Sequence, residues 1–92
     1  MIKIDFNSII YIESYSDYIK IHLQNKIVVT RETISAIEVK LPKGTFLRIH
    51  RSYIISIANI SSFTNEQITI TNKSFPISRS YKQHVLSVLK NF

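Results

Sequence analysis

Arginine followed by serine and tyrosine occurs twice in this 92-residue chain, at Arg51 to Tyr53 and at Arg79 to Tyr81, and these triplets hold two of its four arginines. Each closes an apolar run, FLRIH before the first and FPIS before the second. A guanidinium at a loop tip or in the first turn of a helix, flanked by serine hydroxyls and free backbone N–H groups, can grip a phosphate. It can also fork onto O6 and N7 of a guanine. Arg51 and Arg79 suit both roles, and by pattern alone they suit a solvated charge or a structural ion pair equally well. Ser78 and Ser80 fall at the start of a helical segment, where unbonded N–H donors and the helix dipole favour an anionic oxygen. Lys82 adds a second cation one turn on. Tyr53 and Tyr81 read differently: one opens an apolar strand, the other lies on an apolar stripe, so both fit core positions.

Other chemistry finds little support. His22, His50 and His84 are scattered over a strand, a loop and a helix, and no HExxH, GxSxG, Walker or GxGxxG pattern occurs. One glycine, Gly44, cannot build a phosphate-cradling loop. No enzyme activity, cofactor or metal is expected. The absence of cysteine removes disulfides and thiolate zinc sites, and the composition suits a reducing cytoplasm. The uninterrupted apolar runs are far shorter than the roughly 20 residues of a membrane helix, so a soluble chain without a targeting segment is expected.

Charge is divided along the chain. Residues 1 to 41 carry five cations and five carboxylates, whereas residues 42 to 92 carry seven cations against Glu66 alone, which accounts for the whole net charge of +6. A basic half of this kind draws phosphate polyanions, nucleic acid or acidic membrane surface.

These side chains must be positioned by short elements. Tyr18 to Leu23 alternates, with Ile19, Ile21 and Leu23 facing one way and Tyr18, Lys20 and His22 the other. Ile9 to Glu13 before it and Ile27 to Thr30 after it complete an antiparallel meander, with Ser14 to Asp17 as the first loop. Ile34, Ile37 and Leu41 recur at helical spacing behind Thr33 as N-cap, with Pro42 and Gly44 beyond the end, so a short helix is expected at about 33–41. Short β-rich runs follow at Phe46 to Ile49, Tyr53 to Ile57 and Ile60 to Phe63. Alternation at Ile68 and Ile70 then leads through a turn at Asn72-Lys73 to a hairpin partner at Phe75 to Ile77. Tyr81, Val85, Val88, Leu89 and Phe92 form one helical stripe behind Ser78 as N-cap, predicting a last helix at about 79–90. The expected fold is mainly β, with no long helix to lie in a groove.

In "IIYIESYSDYIKIHL", "TRETISAIEVKLP", "FLRIHRSYIISIANI" and "FPISRSYKQHV", in this order across nearly the whole chain, the sequence resembles the LytTR-type DNA-binding domain of bacterial response regulators. The F-x-R-x-H-R-S-Y segment followed by P-x-S-R is the most specific part of the likeness. The resemblance implies several short antiparallel sheets in an elongated sandwich with two short helices, and double-stranded DNA bound through loops. It implies three DNA-facing positions: Ser16 and Asp17, then His50, Arg51 and Ser52, then Ser78, Arg79, Ser80 and Lys82. Asp17 departs from the neutral or basic side chains expected there; it fits a turn residue, or an acceptor for cytosine N4. The resemblance further implies two copies on repeated half-sites, and a phosphorylatable receiver domain upstream in a longer regulator. The rival readings are a β-rich protein-interaction module with a basic surface, and an RNA-binding β surface, for which the exposed aromatic pairs are not evident.

Overall fold

The computed structural model describes residues 4–91. Alternating isoleucines build the first layer. β1 (Ile9–Tyr15), β2 (Tyr18–Leu23) and β3 (Ile27–Thr30) form the expected antiparallel meander. β4 (Phe46–His50) and β5 (Tyr53–Ser56) complete one sheet in the order β3-β2-β1-β5-β4. A second antiparallel sheet contains β6 (Ser62–Phe63), β7 (Gln67–Ile70) and β8 (Lys73–Pro76). The two helices are α1 (Ile34–Lys40) and α2 (Arg79–Leu89).

The large sheet is buried on both faces, each by a different partner. On one face Ile9, Ile12, Ile19, Ile21 and Ile54 pack with Ile34 and Leu41 of the α1 segment. On the other, Tyr11, Leu47, Ile49 and Ile55 pack with Ile68, Ile70 and Phe75 of the small sheet and with Val85 and Leu89 of α2. The neighbours Tyr11 and Ile12, like Ile54 and Ile55, therefore serve opposite cores, as the period of two in a strand requires. Phe75, 1% exposed, joins the layers: its ring meets Tyr11 and Tyr53 edge-on at 4.6 and 5.2 Å. Above it the Tyr11 hydroxyl accepts a hydrogen bond from the Lys73 ammonium at 3.3 Å, which holds that lysine above its ordinary pKa. The domain is an elongated sandwich, 37 × 24 × 24 Å.

Local chemistry sets the boundaries. Thr33 caps α1 as expected, its Oγ1 accepting from Ala36 N at 3.0 Å. Three expectations need correction. The run Tyr53 to Ile57 stops at Ser56, because Ile57 N turns aside to Thr45 O and Ile57–Asn59 close a 3-10 turn, leaving only Ser62–Phe63 of the next run as strand. The hairpin turn lies one residue earlier than expected, at Thr71 and Asn72, with Ile70 paired to Lys73. Without a glycine there, Thr71 itself takes the left-handed conformation, φ +55°. The first loop is likewise shorter: β1 runs on to Tyr15, paired with Tyr18, and Ser16 at φ +56° makes the turn. Phe92, expected on the last apolar stripe, lies outside the described residues.

Candidate nucleic-acid interface

Two backbone hydrogen bonds gather three separate loops at one end of the sandwich. Ser14 N donates to Ser52 O at 2.9 Å, setting the β1–β2 turn beside the β4–β5 turn. Ser78 N donates to Ile49 O at 3.0 Å, setting the entry of α2 beside the same turn. The three groups of residues expected at the interface, separated by up to some sixty positions in the chain, thus belong to one rim.

Ser16 and Asp17 are both exposed in the two-residue turn between β1 and β2. They border a cleft of about 500 Å³ shared with Tyr18, Arg31 and Glu32. Arg31, whose guanidinium lies 6.0 Å from the Tyr18 ring, is a cation at this end that the motifs did not single out.

In the β4–β5 turn the arginine is exposed and its neighbours are engaged. His50 Nδ1 accepts from Ser52 N at 3.1 Å, and the ring tilts against Tyr53 at 5.3 Å. The imidazole therefore builds the turn, and Nε2 is the nitrogen left for an outside partner. Ser52 is half-buried and Arg51 is exposed. Beneath them lies Arg48, the first arginine of the F-x-R-x-H-R-S-Y segment, which the resemblance does not count among the DNA-facing residues. Its side chain, 9% exposed, donates from Nε to His50 O (2.8 Å) and from Nη2 to Arg51 O (2.7 Å), and pairs through Nη1 with Glu38 Oε1 (2.7 Å). The alternation of FLRIH carried the signal: Leu47 and Ile49 face one core, so Arg48 must face the other side, where α1 lies.

At the entry of α2, Ser78 is the N-cap as expected, with extended backbone, but its side chain makes no capping bond. Its Oγ is buried without a hydrogen-bond partner among the described residues. A helix leaves its first N–H groups without intrahelical acceptors, so this end keeps uncapped donors. Arg79 and Ser80 are exposed here. Lys82 is half-buried, and its ammonium meets Glu66 Oε1 at 2.9 Å. Among the described residues the ion pairs between permanently charged groups are Lys40–Glu32, Arg48–Glu38 and Lys82–Glu66. Arg51 and Arg79 are in none of them. Tyr53 and Tyr81 pack half-buried against the core, as their positions in strand and stripe predict.

No three His, Asp or Glu side chains gather as a metal-ligand set among the described residues, and no described helix is long and apolar enough to cross a membrane. Fold and rim together define a β-rich domain in which the β4–β5 turn and the entry of α2 each carry an exposed arginine.

The model of the LytTr DNA-binding domain matches residues 1–90, and the chain belongs to the LytTR family of DNA-binding domains. Among curated relatives, the sensory transduction protein LytT of Bacillus anthracis is 25% identical over 96 residues, and that of Bacillus subtilis is 25% identical over 95. These matches cover 98% and 97% of this chain and 39% of each relative. The fold matches that of a solved LytTr DNA-binding domain of a response regulator from Bacillus cereus with a TM-score of 0.84. The sequences are 22% identical, and the match covers 96% of this chain and 86% of that one.

Proposed function

We propose that this chain is the sequence-specific, double-stranded DNA-binding domain of a transcriptional response regulator. Arg51 and Arg79 read base edges in separate segments of the major groove. His50 through Nε2, Ser52, Ser78, Ser80 and Lys82 hold phosphates and fix the register. The observation that carries this reading is the pair of exposed arginines, without a carboxylate partner among the described residues, on the β4–β5 turn and the first turn of α2, which are joined through Ser78 N and Ile49 O. An unpaired arginine keeps all five donors for a bidentate fork. The turn holding Ser16 and Asp17 sits at the same rim, with Asp17 as a turn residue rather than a phosphate contact, since phosphate would repel it.

Two copies on repeated half-sites would present four such arginines along one face of the duplex. The longer LytT relatives have room for a receiver domain that phosphorylation controls, so this chain serves as the output portion of a cytoplasmic regulator. The test is a titration of Arg79→Ala against the duplex that the wild-type chain selects from a random pool, and against a scrambled duplex. A base-reading arginine predicts a loss of about 1–3 kcal/mol on the selected site with relaxed preference at one base pair. Equal loss on both duplexes would refute base reading by Arg79.

A further inference from the structure

The β4–β5 turn does not hold itself. Its hydrogen bond between His50 and Ser52 spans three residues, and both carbonyls behind it, those of His50 and Arg51, are taken by one side chain from within β4. We infer that Arg48 is a positioning residue for DNA recognition: its guanidinium locks the turn that presents Arg51 and ties it both to α1 and to the entry of α2. This rests on the loop-reading function proposed above.

The geometry uses the arginine fork fully. Nε and Nη2 hold the His50 and Arg51 carbonyls at 2.8 and 2.7 Å, while Nη1 reaches Glu38 of α1 at 2.7 Å and the Ser35 hydroxyl at 3.5 Å. The guanidinium carbon also lies 5.5 Å from the ring centroid of Tyr81, two residues after Arg79. A single planar group therefore touches α1, the Arg51 turn and the first turn of α2. Arg48 is itself 9% exposed and charge-paired, so it offers DNA little; what it controls is where Arg51 and Arg79 stand relative to each other. Lysine cannot replace it, because one ammonium is a point charge that cannot bridge two carbonyls and a carboxylate in fixed directions. Glu38 is the counterion that holds the fork in its plane, which makes α1, remote from the proposed DNA contacts in the chain, part of the same support.

The test uses the 92-residue chain and the duplex it selects from a random pool, with a scrambled duplex of equal length as control. Arg48→Lys is expected to melt cooperatively yet bind the selected duplex about tenfold more weakly, near the low end of what a bidentate base contact supplies. In an Arg51→Ala background the same substitution is expected to change affinity less than about twofold, because its effect runs through Arg51. In the free protein, amide resonances of Ser52 and of Arg79 are expected to shift together. Glu38→Gln reads the same support should Arg48→Lys fail to fold, and is expected to weaken selected-site binding in the wild-type background and not in Arg51→Ala. Losses that add fully in both backgrounds would overturn the inference, as would undiminished binding by Arg48→Lys where Arg51→Ala is impaired. If Arg51→Ala binds as wild type does, or the wild-type chain selects no duplex, the loop-reading function falls and this inference falls with it.

Discussion

At the scale of single residues, the rim separates cations that are already partnered from cations that are not. Arg48 and Lys82 each face a carboxylate, and among the described residues Arg51 and Arg79 meet none. The Lys82–Glu66 pair has a 77% exposed carboxylate, so it contributes little stability and is open to displacement by phosphate. Glu66→Gln should therefore leave the melting temperature nearly unchanged while strengthening binding to every duplex. The salt dependence should steepen by up to about one unit as Lys82 is freed; an unchanged slope would show that Lys82 makes no phosphate contact. Ser78 offers a second separation of stability from binding. Because its buried hydroxyl bonds no group of the described residues, Ser78→Ala is expected to change folding stability by less than about 0.5 kcal/mol. If Oγ donates to a phosphate, the same variant binds selected and scrambled duplexes more weakly alike in gel-shift titrations. The residue types at these sites were legible from the repeated triplets, whereas the partners of Arg48 and Lys82 were not, since Glu38 and Glu66 lie ten and sixteen positions away.

Among elements, period and punctuation predicted more than termini did. The alternation in β2 and the helical spacing behind Thr33 are local properties, and both elements stand where the pattern puts them. Hairpin register is decided by turn geometry, and the turn lies one residue earlier than the polar pair Asn72-Lys73 suggests: Ile70 pairs with Lys73, and Thr71 takes φ +55°. A β-branched residue in that conformation is strained by about 1–2 kcal/mol. Thr71→Gly should relieve part of this, raising stability by up to about 1 kcal/mol after the entropy cost of glycine, measured by denaturant midpoint at constant m. Thr71 N would still donate to Ser61 Oγ, so the turn keeps its anchor to the β6 segment. A lower midpoint would mean that the threonine side chain stabilises the turn.

For the whole molecule, the decisive contact is the one between sheets. Phe75 sits where Tyr11, Tyr53 and the underside of Lys73 meet, and it belongs to the same core as Val85 of α2. Phe75→Ala is expected to cost about 3–5 kcal/mol, read from chemical denaturation. The loosened core should also free the α2 entry from the β4–β5 turn, so hydrogen exchange at Ser78 N, bonded to Ile49 O, should accelerate beyond the global change. Uniform acceleration would show that the rim does not depend on this packing.

Isoleucine alternation, helical stripes and a basic C-terminal half are properties of neighbouring residues, and from them the chain by itself determined a mainly β domain with two short helices. The motif pair R-S-Y and S-R also marked its cationic loops. Which loops share an end, that Arg48 reaches back under Arg51, and that Lys82 meets a carboxylate were decided only by tertiary structure. The physical reason is range: strand and helix periods follow from backbone geometry over a few residues, whereas a shared rim needs the Ser14–Ser52 and Ser78–Ile49 hydrogen bonds, which close only after both faces of the large sheet have found their apolar partners.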